Sequence, residues 1–206
     1  MKIVVISDTH CKEELLDLPE GDILIHAGDV GIYDLADLEY INRWFGRQKF
    51  TYNIVIAGNH DTYLERLSKI EIKEKLYNAI YLQDEGIEIA GIKFWGSPFT
   101  PFFNNWAFME NENQLEKRWE QIPEDTDIII THGPPRGILD WSNYGKEHCG
   151  SISLKERIDV IKPKYSIFGH IHDNYGCYEA NGIKYINASV LNDNYQSGNK
   201  PIVLEI

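Results

Sequence analysis

"KYSIFGHIHD", residues 164–173, is a short apolar run that stops at a glycine and is followed at once by two histidines one residue apart. A run of this length and composition reads as a strand buried on both faces. Alternate side chains of an extended segment project to the same side, so His170 and His172 can reach one point in space. The same arrangement occurs four times upstream. "KIVVIS" leads to Asp8, "DILIHAG" to Asp29, "NIVIAG" to Asn59 and "DIIIT" to His132. Asp8-Thr9-His10 repeats the i, i+2 spacing of His170 and His172.

Between these runs lie helix-compatible stretches. Residues 33–46 carry Leu35, Leu38, Ile41, Trp44 and Phe45 at a spacing that lines one helical face. Residues 62–78, 112–121 and 151–161 have mixed polar and apolar spacing of the same kind. The rhythm changes over about 80–96, where Gly86 and Gly91 separate short apolar runs and predict antiparallel hairpin strands. Asn181-Gly182 is a turn signal between two further strands, and "KPIVLEI" supplies the last one. The expectation is an α/β fold of two packed sheets with helices outside, formed as a single domain over residues 1–206.

The chain has 206 residues, is 43% hydrophobic and 25% charged, and carries a formal net charge of -12. That composition fits a globular protein. The acidic balance argues against gripping long nucleic acids, which requires clustered Lys and Arg. Cys11, Cys149 and Cys177 are odd in number and lack paired spacing, so neither a disulfide framework nor a cysteine zinc site is expected. "MKIVVISDTH" has no signal-peptide pattern, and no run approaches the roughly 18 to 20 apolar residues of a membrane span. A soluble, cytoplasmic protein that does not engage membranes is the expectation.

In open α/β sheets ligands bind beyond the carboxyl ends of strands, where several loops converge. Seven donors fall there: Asp8, His10, Asp29, Asn59, His132, His170 and His172. Imidazole, carboxylate and amide oxygen together suit Mn, Fe or Zn. Seven donors exceed what one tetrahedral ion needs and match two divalent ions sharing one carboxylate. Asp29, from the most central-looking strand, is the expected bridge.

Asp8-x-His10, Gly28-Asp29, Gly58-Asn59-His60-Asp61, His132 and Gly169-His170-x-His172 together resemble the motif blocks of the calcineurin-like metallophosphoesterases, in the family's order. The resemblance spans residues 8–172 and implies a four-layer α/β/β/α sandwich of two mixed β-sheets flanked by helices. It implies that one ion takes Asp8, His10, Asp29 and His172, and the other Asp29, Asn59, His132 and His170. Manganese is the first expectation for both, with Fe, Zn or Ni as alternatives. By the same resemblance His60 contacts the scissile phosphate and protonates the leaving oxygen after attack by a metal-bridging hydroxide. Asp61 is expected to hydrogen-bond His60, with a helix N-cap as the simpler reading. "FWGSPFTP", "THGPP" and "GILD" are similar to a small branch of the family, the metallophosphoesterase-domain proteins, some of which act on cyclic nucleotides.

The function expected is therefore hydrolysis of a phosphodiester or phosphomonoester, with small phosphodiesters such as cyclic nucleotides preferred. A nuclease and a catalytically silent metal-binding scaffold are the competing readings. Arg136, following Pro134-Pro135, is a candidate phosphate contact beside Asn59 and His60. Trp95, Phe99, Phe102, Phe103, Trp106 and Phe108 are candidates to stack on a base or simply to pack a loop. His26 lies inside a strand run and is expected in a core or supporting role. Asp34, Asp37 and Glu39 are read as a solvated helix face. The sequence sets no oligomeric state.

Overall fold

The computed structural model describes all residues, 1–206. The strands are β1 (Lys2–Ile6), β2 (Ile23–Ala27), β3 (Tyr52–Ile56), β4 (Ile80–Tyr81), β5 (Glu85–Ile89), β6 (Ile92–Ser97), β7 (Thr100–Pro101) and β8 (Met109–Glu110). They continue with β9 (Ile128–Thr131), β10 (Trp141–Ser142), β11 (Glu147–His148), β12 (Tyr165–Phe168), β13 (Gly176–Ala180), β14 (Ile183–Asn187) and β15 (Ile202–Glu205). The helices are α1 (Leu35–Arg47), α2 (Lys69–Lys75), α3 (Glu112–Trp119) and α4 (Ile152–Ile161).

Two mixed sheets carry the fold. One has the order β15-β1-β2-β3-β4, parallel except for β15, and the other β13-β14-β12-β9-β6-β5, parallel except at its two edges. Three apolar clusters separate four layers. Ile3, Val5, Ile25 and Ile54 of the first sheet meet Phe94, Ile128, Ile130 and Ile167 of the second. The alternate residues Val4, Ile6, Leu24 and Val55 face Leu38, Trp44, Phe45 and Ile72 of α1 and α2. Trp95, Ile129, Phe168 and Tyr185 face Leu115 and Trp119 of α3 and Leu154 and Ile158 of α4. Because each central strand is covered on both faces, it has no polar side to alternate with, which is why the runs are uniformly apolar. The architecture is the expected α/β/β/α sandwich.

Several local expectations change. The stretch 62–78 is not one helix. A short 3-10 turn at Leu64–Arg66 precedes α2, which starts afresh where Ser68 and Glu71 exchange hydrogen bonds as a capping box. Asp34 and Asp37 are not merely solvated: they form the corresponding box at the start of α1. Glu39 is exposed and lies 3.9 Å from Arg43. The 80–96 segment is not wholly a hairpin, since β4 joins the first sheet and only β5 and β6 pair antiparallel in the second. Gly86 lies within β5 opposite Trp95, because a Cβ there would come 2.8 Å from the Phe94 carbonyl oxygen. The three cysteines are free thiols. No helix is long and apolar enough to cross a membrane.

Candidate metal centre

The carboxyl ends of β1, β2 and β3 in one sheet and of β9 and β12 in the other open onto the same cleft. Each strand leads to its proposed donor within three residues: Asp8, Asp29, Asn59, His132 and His170. The sheets are stitched there, as the His132 Nδ1–H donates to the Ala27 carbonyl oxygen at 3.0 Å. Close approach of the loops depends on small residues. A Cβ on Gly58 would fall 2.4 Å from Asp29 Oδ1, and one on Gly169 would fall 2.0 Å from Asp8 Oδ2. Four of the seven donors hold left-handed backbone, with φ of 56° at Asp8, 44° at His10, 53° at Asp29 and 67° at His170. Such conformations cost about 1–3 kcal/mol each for non-glycine residues and persist where the surroundings over-determine them.

The donors form two groups. Ligand atoms of Asp8, His10 and His172 lie within 4.8 Å of one another, and so do those of Asp29, His132 and His170. Asp29 stands between them, with Oδ2 3.3 Å from His132 Nε2 and 3.8 Å from His10 Nε2. Asn59 joins the second group through Oδ1, 2.9 Å from His132 Nε2.

Hydrogen bonding within these groups leaves room for cations. A carbonyl can only accept, so His132 must donate from Nδ1 to Ala27, and His172 from Nδ1 to the Asn192 carbonyl at 3.1 Å. Each neutral ring then aims its Nε2 lone pair at oxygens: Asn59 and Asp29 for His132, Asp8 at 3.3 Å for His172. Lone pairs facing lone pairs need a positive charge between them, and a metal ligand whose other ring nitrogen donates to a carbonyl has this arrangement. His10 Nε2 and Asn59 Nδ2 are buried without any partner. A divalent cation in each group would satisfy His10 and both facing pairs, so the residues fit the metals.

Without cations the same strain appears as protonation. Burial opposes charge on His132, yet the Asp29 carboxylate pushes its pKa up to about 9. Burial likewise opposes charge on His172, and its hydrogen bond to the accepting Asp8 carboxylate pushes it up to about 9. Burial holds His10 down to about 4 and His170 down to about 3. Asp8 is buried, which raises its pKa, but the surrounding histidines bring it well below the ordinary carboxylate range. Its carboxylate also accepts from the Ser189 hydroxyl at 2.8 Å and the His170 N–H at 3.0 Å.

His60 stands beside His10 of the first group, ring centroids 5.0 Å apart, its backbone N–H donating to Asp29 Oδ1 at 2.7 Å and its ring making no hydrogen bond to any residue. The expected partnership with Asp61 does not form, and Asp61 caps no helix. Its buried carboxylate instead accepts backbone N–H groups of Gly58 at 2.7 Å, Gly31 at 2.8 Å, Ile32 at 2.9 Å and Val30 at 3.3 Å. Asp61 therefore ties the loop carrying Asp29 to the loop carrying Asn59, and backbone donors hidden from water leave no free oxygen for His60. Burial and the nearby Asp29 push its pKa up to about 7 against these amides.

A cleft of about 490 Å³ covers the centre, lined by Asp29, Asn59, His60, His170 and His172 and rimmed by Asp173, Asp193 and Tyr195. It runs into a second cleft of about 400 Å³ lined by Phe102, Phe103, Trp106, Ile152 and Arg136. Arg136 is thus displaced from the expected phosphate position, and its Nη1 donates to the His148 carbonyl at 2.6 Å. The six aromatic candidates divide. Trp95 and Phe108 are buried, Phe99 packs on Phe108, and only Phe102, Phe103 and Trp106 face the clefts. His26 supports from behind, its Nε2 2.9 Å from the Thr9 hydroxyl.

Sequence reasoning missed Ser189, Asn192, Tyr195, Asp173 and Asp193. Ser189 follows the exit of β14, so the rule that found the other donors reaches it. Tyr195 packs 4.8 Å from the His10 ring within an irregular segment that has no periodic signal.

A family profile described as calcineurin-like phosphoesterase matches residues 1–174. The chain belongs to the calcineurin-like phosphoesterases. This calcineurin-like phosphoesterase is 36% identical to metallophosphoesterase domain-containing protein 1 of Homo sapiens, over all of this chain and 71% of that protein. It is 34% identical to a UPF0046 protein of Caenorhabditis elegans, over all of this chain and 60% of that one. Among solved structures, phosphopantetheinyl hydrolase from Mycobacterium tuberculosis superposes with a TM-score of 0.63 at 16% identity, covering 98% of this chain and 95% of that one. That likeness is one of fold. Membership of the family makes the protein a metallophosphoesterase, a hydrolase that uses divalent metals.

Proposed function

We propose that this phosphoesterase is a phosphodiesterase with a pair of divalent cations, manganese first among them, acting on small phosphodiesters of which cyclic nucleotides are an example. The observation that carries the reading is the charge of the cleft: its lining includes Asp173 and Asp193 and no lysine or arginine. A phosphomonoester brings a second negative charge that this rim disfavours, whereas a diester brings one. The adjoining aromatic cleft supports the same choice, because a diester has a second organic arm to accommodate.

When bound, the cations neutralise charge on the phosphoryl oxygens and lower the pKa of water. Asp8, His10 and His172 would hold one, His132, His170 and Asn59 the other, and Asp29 both. The buried, partnerless Asn59 Nδ2 offers a hydrogen bond to a phosphoryl oxygen. The His60 imidazole, bound to no other side chain, is free to give its proton to the departing oxygen. Such a proton transfer contributes about 10²- to 10⁴-fold in rate.

The test is a manganese-loaded assay comparing aryl phosphodiesters, aryl phosphomonoesters, 2′,3′- and 3′,5′-cyclic nucleotides and single-stranded DNA, with His60→Ala alongside. Diesters are expected to exceed the matched monoesters, and His60→Ala is expected to keep its metal while losing at least about 10² in turnover. A monoester preference overturns the diester assignment. Inertness toward every ester despite full metal content leaves the scaffold reading.

A further inference from the structure

With Asp61 committed to backbone amides, His60 needs another means of holding its ring in one orientation. Its neighbours are rings. The Trp106 ring lies with centroids 5.0 Å apart and planes tilted by 43°, and the His10 ring lies at 5.0 Å and 73° in an edge-to-face contact. Phe103 backs Trp106 at 5.5 Å. The backbone keeps these contacts in register, since the N–H of Ala107, next after Trp106, donates to the carbonyl of Asn59, next before His60, at 3.2 Å.

The loop bearing Trp106 is anchored at both feet. Arg118 grips Glu110 with Nε and Nη2, both at 2.6 Å, reaches Asp84, and lies 3.3 Å over the Phe99 ring. The Phe108 N–H donates to Glu65 Oε1 at 2.7 Å. An indole 40% exposed to solvent, in a loop clamped this firmly, is held in place against something. We propose that Trp106 is a positioning residue that fixes the His60 imidazole in the orientation from which it reaches the leaving oxygen. This rests on the phosphodiesterase reading above.

The test separates orientation from binding. Wild type, Trp106→Phe and Trp106→Leu are compared on aryl phosphodiesters whose leaving groups run from nitrophenol, which departs without a proton, to unsubstituted phenol. Trp106→Leu is expected to lose roughly 10- to 100-fold in kcat on the phenyl ester and less than about 3-fold on the nitrophenyl ester, with Trp106→Phe near wild type. A loss uniform across the series, or a change confined to KM, overturns the proposal.

A second measurement needs no turnover. In the zinc-loaded full chain labelled at histidine Cε1, the His60 resonance is expected to report one rotamer in wild type and averaging in Trp106→Leu. An unchanged His60 signal overturns the proposal. Should the wild type hydrolyse no diester, the phosphodiester reading fails, and this measurement alone decides the role of Trp106.

Discussion

Gly169→Ala attacks one half of the metal centre from a position that holds no ligand. The added Cβ would lie 2.0 Å from Asp8 Oδ2 and 2.1 Å from Ser7 Oγ, where ordinary contact begins at 3.4 Å. Neither neighbour can turn away freely, because Asp8 is buried and gripped by Ser189 and the His170 N–H. Overpacking of this kind costs about 1–3 kcal/mol. Loosening a hydrogen bond to the buried carboxylate adds about 1.5–3 kcal/mol. A total near 4 kcal/mol corresponds to a fall in Tm of roughly 10 °C for a domain of this size. Asp8 belongs to the group with His10 and His172, while Asp29, His132 and His170 form the other, so bound manganese is expected to fall from two ions toward one. Thermal melting and metal analysis after desalting read both effects. Gly198→Ala, where a Cβ meets nothing within 4 Å, is the control and is expected to change stability by less than about 0.5 kcal/mol. Two retained ions with an unchanged Tm in Gly169→Ala would refute the packing reasoning.

Asp61→Asn places an amide donor against backbone donors and is expected to cost about 2–4 kcal/mol and to lower metal retention. Reduced turnover with unaltered Tm and metal content would return Asp61 to the partnership with His60. Cation affinity is expected to climb with pH, since His132 and His172, raised from 6.5 to about 9, carry protons at neutral pH that a metal must displace. In the metal-free protein their stabilising contribution is full below about 6.5 and is lost as pH rises through about 9. Calorimetry in buffers of different ionisation enthalpy measures the protons released, and an affinity independent of pH from about 6 to 8 contradicts the assignment.

Much of the framework was legible in the chain because local rules govern it. Strands covered on both faces must be apolar throughout, so "KIVVIS", "DILIHAG" and "KYSIFG" announced themselves, and donors beyond their ends had only one edge on which to gather. The 151–161 stretch was legible as a helix from its spacing and forms α4, whose first turn Ser151 caps. The 62–78 stretch misled because its spacing suits a helix on either side of Ser68, and the capping box that interrupts it depends on two side chains turning toward each other.

By itself the sequence indicated a candidate donor set at the strand exits and two packed sheets with helices outside, and the resemblance of its motif blocks implied the α/β/β/α layering and the family. Only the tertiary structure decided the commitment of Asp61 to the amides of Gly31 and Ile32, the removal of Arg136 to the neighbouring cleft and the contact of Trp106 with His60. The physical reason is distance along the chain. Spacing fixes which way a side chain leaves its own strand, but the partner of Asp61 stands 30 residues away, that of His132 Nδ1 105 residues away and that of Asp8 181 residues away, and such pairs exist only after both sheets have packed.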